Sequence, residues 1–364
     1  MSDVTTQRGS PTIAGVGRAL PGPRLSQDEI LEGLRGVWQG LDYDDGWLEH
    51  FCGAVGVEGR HLALPREEYF EIDDFGDAND RWIERATELG SEALAEAFER
   101  AGIDLREIDA IFFTTVTGVA SPSIDARMIN ALELPRHVKR VPMFGLGCVG
   151  GAAGLGRVAD YLRGHPDDVA ALVSVELCSL TLERQEPGIP DLIAASLFGD
   201  GAAAVVCAGA DRAGALDRPA GQIRDNRSVF YRDTEWVMGW EISAQGFELV
   251  LSGDLPEVIE GELEDDVSSF LSEHDLAVDD IARWISHPGG PKVLEAMESA
   301  LHFEDGELAS ARRSLAEIGN LSSASVLSVL GDVLDEGRGP AEWGGPGVVM
   351  AMGPGFAAEF VLVD

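Results

Sequence analysis

Lysine is nearly absent from this sequence, in which Lys139 and Lys292 are the two examples among 364 residues. Arginines raise the basic total to 27, but 64 aspartates and glutamates give a formal net charge of −37 at pH 7. A field of that sign repels phosphate backbones and anionic bilayers, which argues against nucleic acid or a charged membrane surface as a partner. The acidic residues themselves are expected to form a solvated surface.

Cysteines and long apolar runs are also scarce. The cysteines are far apart and form no C-x-x-C pattern, so neither a disulfide framework nor a zinc site is expected from Cys52, Cys148, Cys178 and Cys207. No apolar stretch reaches the length of a membrane span, and the first residues lack an apolar segment of the secretory type. These absences predict a soluble, cytoplasmic protein without a metal centre.

Hydrophobic residues make up 45% of the chain, enough for a large core or two fused half-domains. Short β-branched runs alternate with amphipathic stretches of helical period, a pattern typical of α/β proteins. The predicted strands span residues 11–17, 108–116, 138–144, 168–176, 198–207, 281–286, 347–352 and 357–363. Helices are predicted from a capping box at Ser26 onwards and over 80–102, 122–132, 149–163, 290–301 and 321–334. Residues 208–225 lack periodicity and predict a junction between two halves, 1–215 and 216–364.

A glycine-rich turn at residues 145–150 follows one predicted strand and opens a helix. Its sequence, Gly-Leu-Gly-Cys-Val-Gly, matches the dinucleotide-binding pattern G-x-G-x-x-G, and Glu176 ends the next strand as that pattern requires. The motif is short, however, and lies after a strand–helix–strand unit instead of opening its domain. Its central Cys148 would sit at the positive end of a helix dipole, which favours a thiolate nucleophile with a lowered pKa. Backbone N–H groups in such a turn can also stabilise an oxyanion.

Two further polar residues occupy positions suited to chemistry. His287 ends an apolar strand and precedes a glycine-rich turn, although a lone histidine is more often a core residue. Asn320 directly precedes a helix, where it could also serve as an ordinary N-cap. Together with Cys148 they supply a nucleophile, an imidazole and an amide donor.

These residues lie within four short motifs, at residues 197–201, 287–291, 319–323 and 353–356. With the glycine-flanked cysteine, the motifs make the chain resemble the type III polyketide synthases of the thiolase superfamily from about residue 10 onwards. The resemblance implies a thiolase-like layered αβαβα fold from two similar halves. The half at 1–215 would carry the nucleophile, and the half at 216–364 would carry the histidine and the asparagine.

The resemblance also implies the chemistry. Cys148 would hold an acyl starter and the growing chain as a thioester, while His287 pairs with its thiolate. His287 and Asn320 would together bind the carbonyl oxygen of malonyl-CoA and stabilise the enolate formed when CO₂ leaves. Repeated condensation would end in cyclisation of the product. The substrates would be CoA thioesters, no cofactor is expected, and the family works as a homodimer.

Other residues are assigned to substrate by resemblance. Phe198 and Phe247 match the two phenylalanines that gate the family's cavity, and Ser322 belongs to the motif around Asn320. Lys292 falls where a CoA phosphate would lie. An apolar tunnel for a fatty acyl starter would be lined by Cys178, Thr181 and Met238.

Some positions depart from the plant pattern. The stretch 50–55, where plant members carry a basic cluster that contacts CoA, has no lysine or arginine, although Arg60 follows it. Delivery of the starter by an acyl carrier protein (acyl-ACP) therefore stays open beside acyl-CoA. Residues 114–118 and 176–181 are similar to bacterial alkylpyrone and alkylresorcinol synthases. Val116, which is also assigned to substrate by resemblance, weighs against the naphthalene-forming branch, which tends to have a cysteine nearby.

Three alternatives compete with a fatty-acyl-primed synthase. An initiating β-ketoacyl-ACP synthase usually has a histidine followed by Gln-Ala-Asn, whereas Pro-Gly-Gly follows His287. An NAD-dependent oxidoreductase leaves His287 and Asn320 without roles. A non-catalytic partner subunit would be expected to have lost one of the three catalytic residues, and all three are present.

Overall fold

The computed structural model describes residues 9–216, 219–244, 246–337 and 339–364. Its strands, in chain order, are β1 (Thr12–Ala19), β2 (Leu25–Ser26), β3 (Gly59–Arg60), β4 (Ala110–Thr115), β5 (Lys139–Phe144), β6 (Val169–Leu177), β7 (Asp200–Ala208), β8 (Ile223–Phe230), β9 (Met238–Ile242), β10 (Phe247–Leu251), β11 (Arg283–Ser286), β12 (Gly347–Gly353) and β13 (Ala357–Val363).

The helices alternate with these strands over most of the chain. They are α1 (Gln27–Val37), α2 (Asp45–Ala54), α3 (Phe75–Ala101), α4 (Ile124–Ala131), α5 (Gly150–Gly164), α6 (Ile189–Leu197), α7 (Ala210–Ala213), α8 (Leu255–Ser272), α9 (Pro291–Ala300), α10 (Ala309–Ile318), α11 (Ser323–Glu336) and α12 (Pro340–Trp343). Across the described residues, no helix is both long and apolar enough to span a bilayer.

Two sheets form the framework. The first has five strands in the order β1-β7-β6-β4-β5, with β6, β4 and β5 parallel and the other neighbours antiparallel. The second has four strands in the order β11-β12-β13-β8, with β11 and β12 parallel. The predicted division at residues 215 and 216 falls between β7 and β8, although residues 217 and 218 of the predicted junction lie outside the described residues.

Helices cover both sheets and fill the space between them. One core cluster packs α3 against the outer face of the first sheet, and another packs α8 and α9 against the outer face of the second. Between the two sheets lie α5 and α11, whose apolar side chains contact strands of both. The order of layers is therefore helix, sheet, helix, sheet, helix, which confirms the predicted αβαβα fold.

The central helix α5 must lie very close to α11, and its glycines make this possible. A β-carbon on Gly151 would lie 2.3 Å from the carbonyl oxygen of Ser323, the first residue of α11. At Gly164, where the same helix ends, an added β-carbon would have no atom within 4 Å. The small residues at the start of α5 thus serve contact between the halves of the fold.

We predict that Gly151→Ala lowers the unfolding free energy by about 3 kcal/mol, because the new methyl group forces α5 away from α11 in a close-packed interior. Gly164→Ala is the matched control on the same helix and is expected to change stability by less than about 1 kcal/mol. Urea unfolding followed by circular dichroism measures both. Equal stability of the two variants would contradict the close approach.

Candidate active site

The three predicted catalytic residues line one cavity, although they come from distant parts of the chain. Cys148 lies in a short 3₁₀ turn between β5 and α5, His287 follows β11, and Asn320 precedes α11. We call this space, of about 310 Å³, the main cavity, a volume at the lower end for small-molecule sites. Other parts of its wall are formed by Val116, Cys178, Phe198, Met238, Trp240, Leu249, Lys292, Ser322, Pro354 and Phe356.

Cys148 is a buried thiol. Its Sγ lies 3.7 Å from the hydroxyl oxygen of Ser322, and its side chain lies near the carboxyl group of Glu176. Burial raises the pKa of the Cys148 thiol to about 12, against the weaker opposite effect of the Ser322 hydroxyl. The predicted lowering of this pKa is therefore wrong for the free protein, because the loss of hydration outweighs the favourable position at a helix start.

The backbone of His287 is fixed by a hydrogen bond, whereas its imidazole ring makes none among the described residues. Its N–H donates to the carbonyl of Met350 at 2.8 Å, which continues the pairing of β11 with β12. Neither ring nitrogen has a hydrogen-bond partner among the described residues. Burial lowers the pKa of His287 to about 3, so the imidazole is neutral at pH 7. A neutral imidazole can accept one proton and donate another hydrogen bond.

Asn320 is fixed from several sides. Its backbone pairs with the segment before β7, donating to Leu197 O at 3.0 Å and accepting from Gly199 N at 2.9 Å. Its Oδ1 accepts the backbone N–H of Ser322 at 2.8 Å, and Nδ2 faces the carbonyl of Gly289 at 3.4 Å. The N-cap position of α11 is Ser322, two residues after Asn320, so the N-cap interpretation of Asn320 does not describe its geometry. The amide instead presents its donor group towards the turn after His287.

Glu176 carries a buried carboxyl group beside the site. In the sequence, this residue had stood out only as part of the dinucleotide-binding pattern. It lies in β6 and accepts hydrogen bonds from Thr117 Oγ1 at 2.9 Å, from the backbone N–H of Val116 at 3.1 Å and from the Ser323 hydroxyl. Burial raises the pKa of Glu176 to about 7 despite these donors. Its surroundings come from β4 and α11, so no local sequence signal could have shown them.

A second, smaller space of about 80 Å³, which we call the side cavity, adjoins the main cavity. The two share the residues Cys178, Phe198, Trp240 and Leu249, which form the wall between them. The side cavity extends between largely apolar side chains of α1 and neighbouring segments, including Leu25, Ile30, Leu34, Val37 and Leu62.

The predicted substrate residues fall into four groups. Val116, Met238, Lys292 and Ser322 line the main cavity alone. Thr181 lines the side cavity alone, and Cys178 and Phe198 line both. Phe247 lines neither cavity.

Phe247 is buried and packs against two aromatic rings, and its role as a gate stays a prediction. Its ring lies 5.6 Å from that of Phe75 and 5.9 Å from that of Trp240, measured between centroids. Two residues further along β10, Leu249 occupies the wall between the cavities. Strand alternation gives Phe247 and Leu249 the same face, so the sequence could not tell which of them reaches the opening.

Arg60 holds Phe198 in place. Its guanidinium is buried and donates to the carbonyl of Phe198 at 2.6 Å and to that of Ala195, near the end of α6. It therefore satisfies carbonyls at a helix C-terminus. This position also makes Arg60 unsuitable as a surface contact for a CoA phosphate.

The glycine-rich turn does not leave space for a pyrophosphate. A β-carbon on Gly147 would lie 2.7 Å from Pro354, and one on Gly150 would lie 2.7 Å from Thr114 Oγ1. Protein atoms thus occupy the positions that a dinucleotide-binding turn keeps open for phosphate. Gly147 and Gly150 serve packing around Cys148.

The layered fold and the cysteine–histidine–asparagine cavity define a thiolase-like condensing enzyme, and comparison with known proteins specifies the family. A model of the N-terminal domain of chalcone and stilbene synthases matches residues 1–212, and the model of their C-terminal domain matches residues 222–364. The chain thus belongs to the chalcone and stilbene synthase family of type III polyketide synthases, and it is an acyltransferase that performs decarboxylative condensation.

Individual relatives agree with this assignment. The chain is 49% identical to a 1,3,6,8-tetrahydroxynaphthalene synthase of Streptomyces peucetius subsp. caesius, over 97% of this chain and 92% of that protein. The crystal structure of PKS-I from the brown alga Ectocarpus siliculosus superimposes with a TM-score of 0.89 at 27% identity, covering 99% of both chains. That of a tetrahydroxynaphthalene synthase from Streptomyces coelicolor A3(2) gives 0.86 at 27% identity, covering 97% of this chain and 98% of that one.

The buried neutral imidazole predicts a pH-dependent stability. Below about pH 6.5 the unfolded chain binds a proton at His287 that the folded chain binds only near pH 3, so falling pH favours unfolding. Between pH 7.5 and pH 5 the wild type should therefore lose about 2 kcal/mol more than His287→Gln, in which the site cannot titrate. Urea unfolding of both proteins at the two pH values measures this difference, and parallel losses would show that His287 is not held neutral.

Proposed function

We propose that this chain condenses malonyl units onto an acyl group held by Cys148, with His287 and Asn320 as the other catalytic residues. The observation that carries the proposal is their convergence on one cavity, in which both ring nitrogens of His287 lack partners among the described residues. The substrates are CoA thioesters, and the chemistry requires no further cofactor. The exposed edge strand β5 is the place where we expect a second copy to pair in a homodimer.

The first step is acyl transfer to sulfur. The neutral His287 accepts the proton of the Cys148 thiol, and the sulfur attacks the carbonyl carbon of the acyl-CoA. The carbon–sulfur bond to CoA breaks, and the leaving thiolate takes the proton back from the imidazolium. The burial and neutrality of both groups in the free protein support this order, since the charges exist only while the transfer occurs.

The second step is decarboxylative condensation. An imidazole N–H of His287 and the Nδ2 group of Asn320 donate to the thioester oxygen of malonyl-CoA, and CO₂ leaves to give the enolate. A donor aimed at such an oxyanion lowers the barrier by about 3 kcal/mol. The enolate carbon attacks the acyl carbonyl, the bond to Cys148 breaks, and the lengthened chain returns to the sulfur for another round.

We further propose that the starter is a fatty acyl group and that cyclisation gives an alkylpyrone or a resorcinol. The apolar side cavity supports this, since an alkyl chain entering it past Cys178 and Thr181 would bury its methylenes at about 0.8 kcal/mol each. Trp240 and Leu249 stand in the wall that such a chain must pass.

A malonyl-primed route to a naphthalene product is the second candidate. The identity of 49% to a tetrahydroxynaphthalene synthase favours it, against the expectation drawn from Val116. The two candidates differ in whether malonyl-CoA alone is sufficient. The two candidates are separated by supplying malonyl-CoA with and without a series of acyl-CoAs of increasing chain length and identifying the products by mass spectrometry.

The role of the nucleophile predicts a covalent intermediate. Incubation with an acyl-CoA should add the mass of one acyl group to the wild type, and Cys148→Ala should bind the thioester without this addition. Cys178→Ala is the matched control, because this second buried thiol of the same cavity should be dispensable for the adduct. Intact-protein mass spectrometry measures all three, and an adduct on Cys148→Ala would refute the assignment.

The wall between the cavities predicts a change in starter choice. Trp240→Ala should join the two spaces and raise the ratio of kcat/KM for a long over a short acyl-CoA by about tenfold, because more methylenes become buried. Trp236→Ala, which removes an exposed tryptophan outside both linings, should leave the ratio unchanged. An unchanged ratio in Trp240→Ala would mean that the side cavity does not receive the starter.

A further inference from the structure

Helix α2 presents an aromatic cluster that the proposed chemistry does not use. The ring of Trp47 stacks on that of Phe51, with centroids 5.4 Å apart and planes at 22°. Its edge meets His50, whose ring centroid lies 5.5 Å away. Trp47 is 48% exposed, so a large flat face is turned to solvent although a buried position would be more favourable for it.

This aromatic cluster stands at the rim of the main cavity. His50 and Phe51 belong to its lining, as does Lys292 at the start of α9. The segment after α2 meets the start of α9 closely, since a β-carbon on Gly56 would lie 3.4 Å from a ring carbon of Pro291. The aromatic cluster and Lys292 therefore border the same opening, while Cys148 lies inside.

The charge at this opening differs from that of the whole molecule. No aspartate or glutamate occurs among the described residues that line the main cavity, although the chain carries a net charge of −37. Lys292, one of two lysines in the sequence, is exposed there. The cavity wall thus holds no carboxylate against an anionic ligand, and the acidic side chains of α2 beside Trp47, Asp45 and Glu49, are both paired with Arg35.

We propose that Trp47, supported by Phe51 and His50, stacks on the adenine ring of the incoming CoA thioester while Lys292 pairs with its phosphates. This rests on the proposed function, in which the acyl end of the same molecule reaches Cys148. Aromatic side chains bind purine faces without needing positive charge. Stacking would thereby replace the basic cluster that the stretch 50–55 lacks.

The proposal excludes an acyl carrier protein as the occupant of this rim, since a carrier-bound pantetheine has no purine to stack. The two sources of acyl group can be told apart with small substrates. A CoA thioester contains the adenine nucleotide, whereas an N-acetylcysteamine thioester presents the same acyl group without it.

The test compares Trp47→Ala with the wild type on both thioesters. We expect the KM for the CoA thioester to rise about tenfold with kcat nearly unchanged, and the kinetics of the N-acetylcysteamine thioester to stay the same. Inhibition by adenosine 3′,5′-bisphosphate, which carries the adenine and two phosphates without the acyl-pantetheine arm, should weaken by about the same factor. Trp47→Phe should retain most of the affinity because it keeps an aromatic face.

One control variant and the activity of the wild type separate a failure of the stacking proposal from a failure of the proposed function. Trp236→Ala removes another exposed tryptophan and should behave as the wild type with both thioesters. Equal effects of Trp47→Ala on the two thioesters, or no effect on either, would overturn the stacking proposal while the wild type still makes product. A wild type that makes no product from either thioester would instead overturn the proposed function.

Discussion

The close contact between α5 and α11 is the constraint on which the site depends. Each of these central helices begins at a catalytic segment, α5 just after Cys148 and α11 just after Ser322. Because Gly151 has no side chain, the first turns of the two helices can touch, and the Cys148 sulfur lies 3.7 Å from the Ser322 hydroxyl. A nucleophile from one half of the fold is thereby placed beside donors from the other half.

The same arrangement explains the electrostatics. Enclosure between two sheets removes water from the site, so the pKa of the Cys148 thiol rises to about 12 and that of His287 falls to about 3. Two helix N-termini meanwhile point their positive ends at the region, and these favour negative charge. The free protein thus holds neutral groups in a surrounding suited to transient anions, which is the preorganisation that an enolate-forming reaction requires.

Local sequence was sufficient for most strands of the two sheets, for several helices and for the choice of three candidate catalytic residues. The predicted strands and helices are present with ends shifted by a few residues, because each has a clear period or a boundary signal such as the capping box at Ser26. Cys148, His287 and Asn320 stood out because each follows or precedes an element within a glycine-containing motif. Their spatial convergence could be inferred through the family resemblance, since the segments are far apart in sequence.

Other features depend on contacts that a local pattern does not contain. The sequence suggested a lowered pKa for the Cys148 thiol because the start of a helix can be predicted from local residues. The burial that raises this pKa depends on segments of the C-terminal half, which are far away in sequence. Phe247 was assigned to the gate because it matches the family pattern, whereas the position of Leu249 of the same strand in the wall between the cavities depends on tertiary contacts. The helix α2 was not predicted, so its aromatic face could not be recognised either.

Acidity of the whole chain is compatible with an anionic substrate because the charge is distributed unevenly. Carboxylates are missing from the described lining of the main cavity, and the nearest buried one, Glu176, has a pKa of about 7. Below that pH its carboxyl group is protonated and leaves the thiol undisturbed. Above it, the new charge opposes both the Cys148 thiolate and an enolate, because little water remains to screen it. A charge on Glu176 would therefore act on the Cys148 sulfur from outside the cavity lining.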